Sequence, residues 1–512
     1  MSRYDTIVIG AGHNGLTAAT ILAKAGRQVV ILERRDRIGG LASREEFHPG
    51  YQTAGVLHDT SAVRRSVIDQ LELRKHGLEL LRESAPVFIP EKDGPGYLHW
   101  RDPGKAEAEI SGRSPADAAQ YRAYRAFLKR IAPVLRKVFD EFPADTQSIR
   151  LTDLWDIGKK AIALRLLGRS DMMEVLRIGP MCVADWVIEW FETEIVRAAV
   201  AGPAVMHDMT GPWSPGTNLN LILAETQAQL AVKGGPAALV KALEKAAVAA
   251  GVEIRTGAKV AKLNLQDGAV SGVTLVNGEV LDGNQVAAAC DPKHLFLKLI
   301  SPSSLTMEFE RNIQNFRTRG TTAKVNLALD SYPEFPGRPD LQAVFLRTGT
   351  AVDDLERAFD PVKYREFALE PMLDIYVPTI ESPQLAPAGH HVFSIQAHWI
   401  PYGLEGGWSE EAKDRLLESV VDTLQGYFPE IRQSLVGSQV SSPVDLERVY
   451  GVTGGHLFHG EHATDQLLLR PTPECARYQT PFRGLYLCGS GSHPGGGMTC
   501  APGALATGAI LG

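Results

Sequence analysis

The chain has 512 residues, 44% of them hydrophobic and 22% charged, enough for two or more domains and a sizeable core. A formal charge of −7 and a pI near 6.1 argue against a nucleic-acid partner. Five scattered cysteines without a CxxC argue against a disulfide framework, a zinc cluster or a redox disulfide. No apolar run approaches the ~18 residues that cross a bilayer, and a core strand begins by residue 5, so a reducing, cytoplasmic compartment is expected.

Asp5 to Ile9 is a short apolar run rich in β-branched residues and reads as a buried strand. It ends in Gly10-Ala11-Gly12-His13-Asn14-Gly15, a GxGxxG, after which Leu16 to Lys24 has a helical pattern that stops at Gly26. Val29 to Leu32 is the next strand, and Glu33 follows Gly15 by 18 residues. In such a unit Gly10 allows a tight turn, Gly12 lets backbone approach a pyrophosphate, and Gly15 lets helix pack on strand. The helix N-terminus presents free N–H groups to phosphate oxygens, and Glu33 is placed to accept hydrogen bonds from a ribose.

Arg34, Arg35 and Arg37 follow, then Gly39, Gly40 and Leu41. This ERRDRIGG resembles the ExRxxxGG signature of FAD enzymes in the amine oxidase and phytoene desaturase superfamily. The resemblance implies FAD, with Gly10, Gly12, Asn14, Gly15, Glu33, Arg34, Gly39, Gly40 and Leu41 as contacts. Further on, His58 and Asp59 are polar residues that either face the flavin or form a surface turn.

Residues 60 to 230 are mostly helical in pattern, with Tyr124, Phe127, Leu128, Ile131 and Leu135 of the Ala116–Phe142 stretch at core spacing. Leu151 to Met181 combines Trp155, Ile162, Leu166 and Met173 with Lys159, Lys160, Arg165 and Arg169. That is either a helix in a membrane interface or a surface helix with a solvated basic face, the commoner case. GPWSPGT, Gly211 to Thr217, resembles the GPxxPGT of a desaturase-like branch labelled pyridine-nucleotide-disulfide-oxidoreductase-domain proteins.

At Gly234-Gly235-Pro236 the dinucleotide-binding domain resumes with a helix and three strands. The resemblance implies that Val260 contacts adenine through its backbone. No second GxGxxG follows, so a dedicated nicotinamide domain is not expected. Thr322 to Asp330, TAKVNLALD, alternates like a strand. Amine oxidases have a lysine on a comparable strand that holds a water against flavin N5, which makes Lys324 a candidate; a surface lysine on an edge strand is the alternative.

Gly454 to Pro471, GGHLFHGEHATDQLLLRP, resembles the family's GGxxxHGxxxxDQxxxxRP. His456, His459, Glu461 and His462 crowd within it, and a polar loop at the flavin or substrate end is preferred to a metal site. After the strand Leu485–Cys488 comes GSGSHPGGGMT, which resembles the GxGTHPGxGxxG of phytoene desaturases. It implies Gly489, Ser490, Gly497, Met498 and Thr499 as further FAD contacts, with a helix N-terminus near the last three.

The expected fold is α/β: a Rossmann-type FAD-binding domain (1–90, 230–300 and 445–512) with a discontinuous mixed-sheet and helical substrate domain (91–229 and 301–444). The expected activity, by resemblance to phytoene desaturase and carotenoid ketolase-like enzymes, is removal of hydride from a C–H of a mainly apolar, isoprenoid or lipid-like substrate. Oxygen, a quinone or a protein would accept the electrons. A flavin amine oxidase and a non-enzymatic flavoprotein remain as alternatives. His456 and His459 are the expected proton acceptors, with Lys324 holding water and His58 in reserve.

Overall fold

The computed structural model describes residues 3–143, 151–227 and 230–512. Two seven-stranded sheets organise it. The first has a parallel centre in the order Glu253–Arg255, Val29–Leu32, Arg3–Ile9, Val280–Ala288, with Leu485–Leu487 also parallel to Val280–Ala288. Ala269–Leu275 and Val260–Gln266 extend it antiparallel. Strand alternation splits the apolar residues between two layers. Val8, Val29 and Ile31 pack against helices, while Ile7, Ile9, Val30 and Leu32 pack against the antiparallel extension.

The helix His13–Lys24 lies on this sheet between the helices Gly235–Ala249 and Ala501–Leu511. Two glycines permit the approach. A Cβ on Gly15 would stand 2.0 Å from the Gly10 carbonyl oxygen, and one on Gly503 would stand 2.2 Å from that of Asn14. The first and last fifty residues of the chain therefore meet at one helix end.

The second sheet runs Leu435–Ser441, Thr322–Leu329, His391–His398, Leu373–Tyr376, Phe345–Arg347, Val87–Ile89, Tyr97–His99. Its strands are antiparallel except for Phe345–Arg347 with Val87–Ile89. The chain thus reaches the second sheet by Val87, slightly before residue 90. Every residue of Thr322–Leu329 is buried and the strand is paired on both sides. Lys324 is accordingly an interior residue, only 3% exposed, and the edge-strand alternative is overturned.

One face of this sheet is apolar: Val325, Leu327, Phe393, Ile395, Leu373, Ile375 and Leu346 share a core. The opposite face carries Lys324, Gln396, Asp374 and Arg347 in a single row across four strands. The register pairs Lys324 with Gln396, Gln396 with Asp374, and Asp374 with Arg347.

The long helix Pro115–Asp140 is started by the Ser114 side chain, which accepts from the Asp117 N–H, and it buries Tyr121, Tyr124, Phe127 and Ile131. The Leu151–Met181 stretch forms two helices, Leu151–Leu166 and Arg169–Ile178, rather than one. They are separated at Gly168, whose φ of 89° is open to glycine and leaves the helical region. Trp155 (64% exposed), Leu166 (80%), Ile162, Met173 and Leu176 face outward. No helix among the described residues is long and apolar enough to cross a membrane.

Candidate active site

A groove follows the C-terminal ends of the parallel strands, where open α/β sheets bind ligands. Gly10, Gly12, Asn14, Gly15, Glu33, Arg34, Gly39, Gly40, Leu41, Val260, Ser490 and Gly497 all line it. Gly12 and Gly39 are bridged as paired backbone, with the Gly39 N–H donating to the Ala11 carbonyl at 2.9 Å. Asn14 Nδ2 donates to Ser490 Oγ at 3.1 Å, tying the first glycine motif to the last.

Three features fit a dinucleotide. A Cβ added at Gly12 would meet no protein atom within 4 Å, because that direction opens into the groove. The helix His13–Lys24 has no side-chain N-cap, so its first N–H groups face the same space. At the far side Glu33 is held by N–H donors of Ala11 and Arg35, both at 2.9 Å, with lone pairs remaining for a ribose. Arg34 instead donates to the backbone carbonyls of Arg448 and Val449 and so clamps the groove's rim.

Gly489 lines neither this groove nor the adjoining cavity. A Cβ there would stand 2.5 Å from the Ala289 carbonyl oxygen, so its role is packing. Met498 and Thr499 line the adjoining cavity. The C-terminal helix spans Ala501–Leu511, the APGALATGAIL of the sequence, and the Thr499 N–H is already spent on the Gly497 carbonyl at 2.9 Å.

The adjoining cavity, about 300 Å³, meets the groove at Leu57 and Gly497, which line both. Its walls are the 494–499 loop, the polar face of the second sheet, and helices of the 103–227 region. His58 lines it and heads a buried chain. Lys324 Nζ is 2.6 Å from His58 Nε2 and donates to Ser394 Oγ at 2.7 Å. His58 Nδ1 is 3.6 Å from Asp374, which accepts from Arg347 Nε and Nη2 at 3.1 and 3.0 Å. Gln396 Nε2 donates to the Val56 carbonyl at 2.6 Å, pinning the segment that carries His58.

Burial, and then the neighbouring Lys324, hold His58 down at about 3. Burial holds the Lys324 amine well below its ordinary range. His58 is neutral at physiological pH. Burial would raise Asp374, but the Arg347 guanidinium and His58 outweigh it and keep the carboxylate ionised.

The two histidines expected to take the proton stand elsewhere. His456 is fully buried; its Nε2 contacts Asp208 at 3.3 Å and its Nδ1 accepts the Phe458 N–H at 3.2 Å. It lines neither the groove nor the cavity and organises the loop. His459, at φ 57°, lines the groove and is held neutral by burial, at about 3. His462 rather than either lines the cavity, its Nε2 accepting the Gly496 N–H at 2.9 Å. Lys324 lines neither space and reaches the cavity only through His58.

Sequence reasoning missed Asp374 and Arg347. LDIY and FLR are too short to mark chemistry, and only strand pairing sets the two side by side.

A Rossmann-type sheet, a groove shaped for a dinucleotide, and a buried cavity that opens on it define a flavoprotein oxidoreductase. The chain belongs to the flavin-containing amine oxidoreductase family, whose profile matches residues 15–510. It is 34% identical to the pyridine nucleotide-disulfide oxidoreductase domain-containing protein 2 of Rattus norvegicus, over 98% of this chain and 92% of that protein. It is 27% identical to a subunit of the limonene dehydrogenase of Castellaniella defragrans, over 98% and 93%. An oxidoreductase from Methanosarcina mazei shares the fold at a TM-score of 0.61 and 16% identity, covering all of both chains. The protein is an FAD-dependent oxidoreductase.

Proposed function

We propose that the protein is a desaturase- or dehydrogenase-like enzyme acting on a mainly apolar, isoprenoid or lipid-like molecule. The observation that carries this reading is the mainly apolar 300 Å³ cavity meeting the groove at Leu57 and Gly497. Likeness to a limonene dehydrogenase supports it. Bound FAD supplies the hydride acceptor, its N5. Gly10, Gly12, Gly15 and the helix N-terminus would hold its diphosphate, Glu33 the ribose, and Gly497 to Thr499 the ring end.

Loss of hydride from one carbon must be matched by loss of a proton from the substrate. His58 is the only neutral base of the buried chain that borders the cavity. Its imidazole takes the proton, with Lys324 Nζ beside Nε2, while Asp374 stabilises the imidazolium from the Nδ1 side and Arg347 keeps Asp374 charged. Oxygen, a quinone or a protein then accepts the electrons. The exposed apolar residues of Leu151–Leu166 and Arg169–Ile178 offer a contact with the membrane surface where such a substrate dissolves.

The test is anaerobic titration of FAD-loaded protein with isoprenoid hydrocarbons, long-chain acyl compounds and primary amines. Loss of the visible flavin band with the apolar compounds is expected. Bleaching by amines alone would make the protein an amine oxidase, and bleaching by none would leave the cofactor structural.

A further inference from the structure

The cavity is not uniformly apolar. Arg101, just beyond the edge strand Tyr97–His99, lines it, as do Glu225 and Gln227 at the end of the helix Thr217–Gln227. Glu225 is paired with Arg125, and Asp374 with Arg347. Arg101 has no hydrogen bond or ion pair among the described residues, although its charge acts on Glu225 more strongly than that of Arg125 does. All four of Glu225, Arg347, Arg125 and Arg101 act on His99, which burial keeps neutral, at about 3. Of the other charged residues that line the cavity, Arg64 is paired with Asp140, Asp208 contacts His456 and Asp59 accepts from Ser61. Gln227, nine-tenths buried, leaves both Nε2 and Oε1 without a partner among the described residues.

A buried, unsatisfied amide is costly inside a protein unless a ligand completes it, and a guanidinium without a side-chain partner beside it is free to take an anion. A guanidinium matches a carboxylate geometrically, and a single unpaired guanidinium suits a monoanion better than a phosphate. We propose that the substrate is an amphiphile, a lipid-like carboxylic acid whose carboxylate is taken by Arg101 and whose apolar chain runs through the cavity toward Leu57 and Gly497. Gln227 supplies a further polar contact. This deepens the reading of the same cavity as a substrate site and rests on it.

The test measures binding of decanoate and of decanol, equal in chain length, to FAD-loaded protein by calorimetry. Decanoate is expected to bind at least tenfold more tightly than the alcohol. A hydrogen bond to a charged group is worth about 1.5–3 kcal/mol, so Arg101→Gln should cost decanoate about 10- to 100-fold and leave decanol unchanged. Arg101→Lys should restore part of the preference, and Gln227→Leu should weaken decanoate more than decanol. Circular dichroism checks that each variant is folded. Equal binding of acid and alcohol by the wild type, or an Arg101→Gln variant that keeps the preference, overturns the proposal. Flavin bleaching by a hydrocarbon without acid preference would remove this proposal alone. Arg101-dependent acid binding without bleaching by any compound would remove the reaction while leaving the carboxylate site.

Discussion

Lys324 Nζ stands 2.6 Å from His58 Nε2, although 266 residues separate the two in the chain. Each amine or imidazole would be costly to charge in so dry a place. Burial opposes charge on both, and Asp374 stands behind them as the counter-charge for a proton that arrives. On the proposed reading the pair serves the proton-accepting half of the reaction rather than holding water for reoxidation.

His58→Ala is expected to slow anaerobic flavin reduction by about 10²- to 10⁴-fold, the usual cost of a lost general base. Lys324→Met should slow the same step and shift its pH profile. Stopped-flow reduction and oxidation measured separately decide between roles. If Lys324→Met slows only oxidation, the lysine serves reoxidation after all.

Gly12→Val places a branched side chain in the one direction where Gly12 meets no protein atom, the dinucleotide groove. The variant is expected to fold and to purify colourless. The ratio of visible to protein absorbance measures FAD occupancy, and full occupancy in this variant would move the diphosphate site elsewhere.

Buried histidines make the protein acid-labile. His99 and His462 are held near 3 and His398 near 4, each chiefly by burial, while in an unfolded chain they titrate near 6.5. Above that value both states are neutral and stability is full. As pH falls from 6.5 towards 4 the unfolded chain binds protons that the folded one refuses. Each such histidine then costs up to about 1.4 kcal/mol per pH unit. Thermal melts should show Tm falling across this window, above the range where carboxylates titrate. A Tm flat from pH 7 to 4 would mean that water reaches these rings.

The outward apolar residues Trp155, Ile162, Leu166, Met173 and Leu176, beside Arg165 and Arg169, predict sedimentation with anionic vesicles at low salt. Trp155→Ala with Leu166→Ser should reduce the bound fraction several-fold. Wild-type protein left in the supernatant would make this an ordinary surface helix pair.

Much of the site was legible in the chain's two ends. GAGHNG, ERRDRIGG and GSGSHPGGGMT each use glycine where backbone must approach backbone or ligand, and the structure gathers all three around one groove. The histidine-rich GGHLFHGEH misled, since imidazoles near neutral pKa look like bases. Buried among backbone N–H groups and Asp208, His456 is a structural acceptor instead.

The sequence by itself determined what depends on local chain geometry. The βαβ unit and its acidic residue follow from turn chemistry and periodicity, and TAKVNLALD announces one polar and one apolar face. Only the tertiary structure decided which strands lie beside that face. Antiparallel pairing sets Lys324, Gln396, Asp374 and Arg347 in one row, and the segment after the strand Tyr51–Thr53 lowers His58 onto it. Hydrogen-bond register between distant strands reflects the packing of the whole core rather than any short window. Hence residues of unremarkable local sequence, 374 and 347, became neighbours of the base.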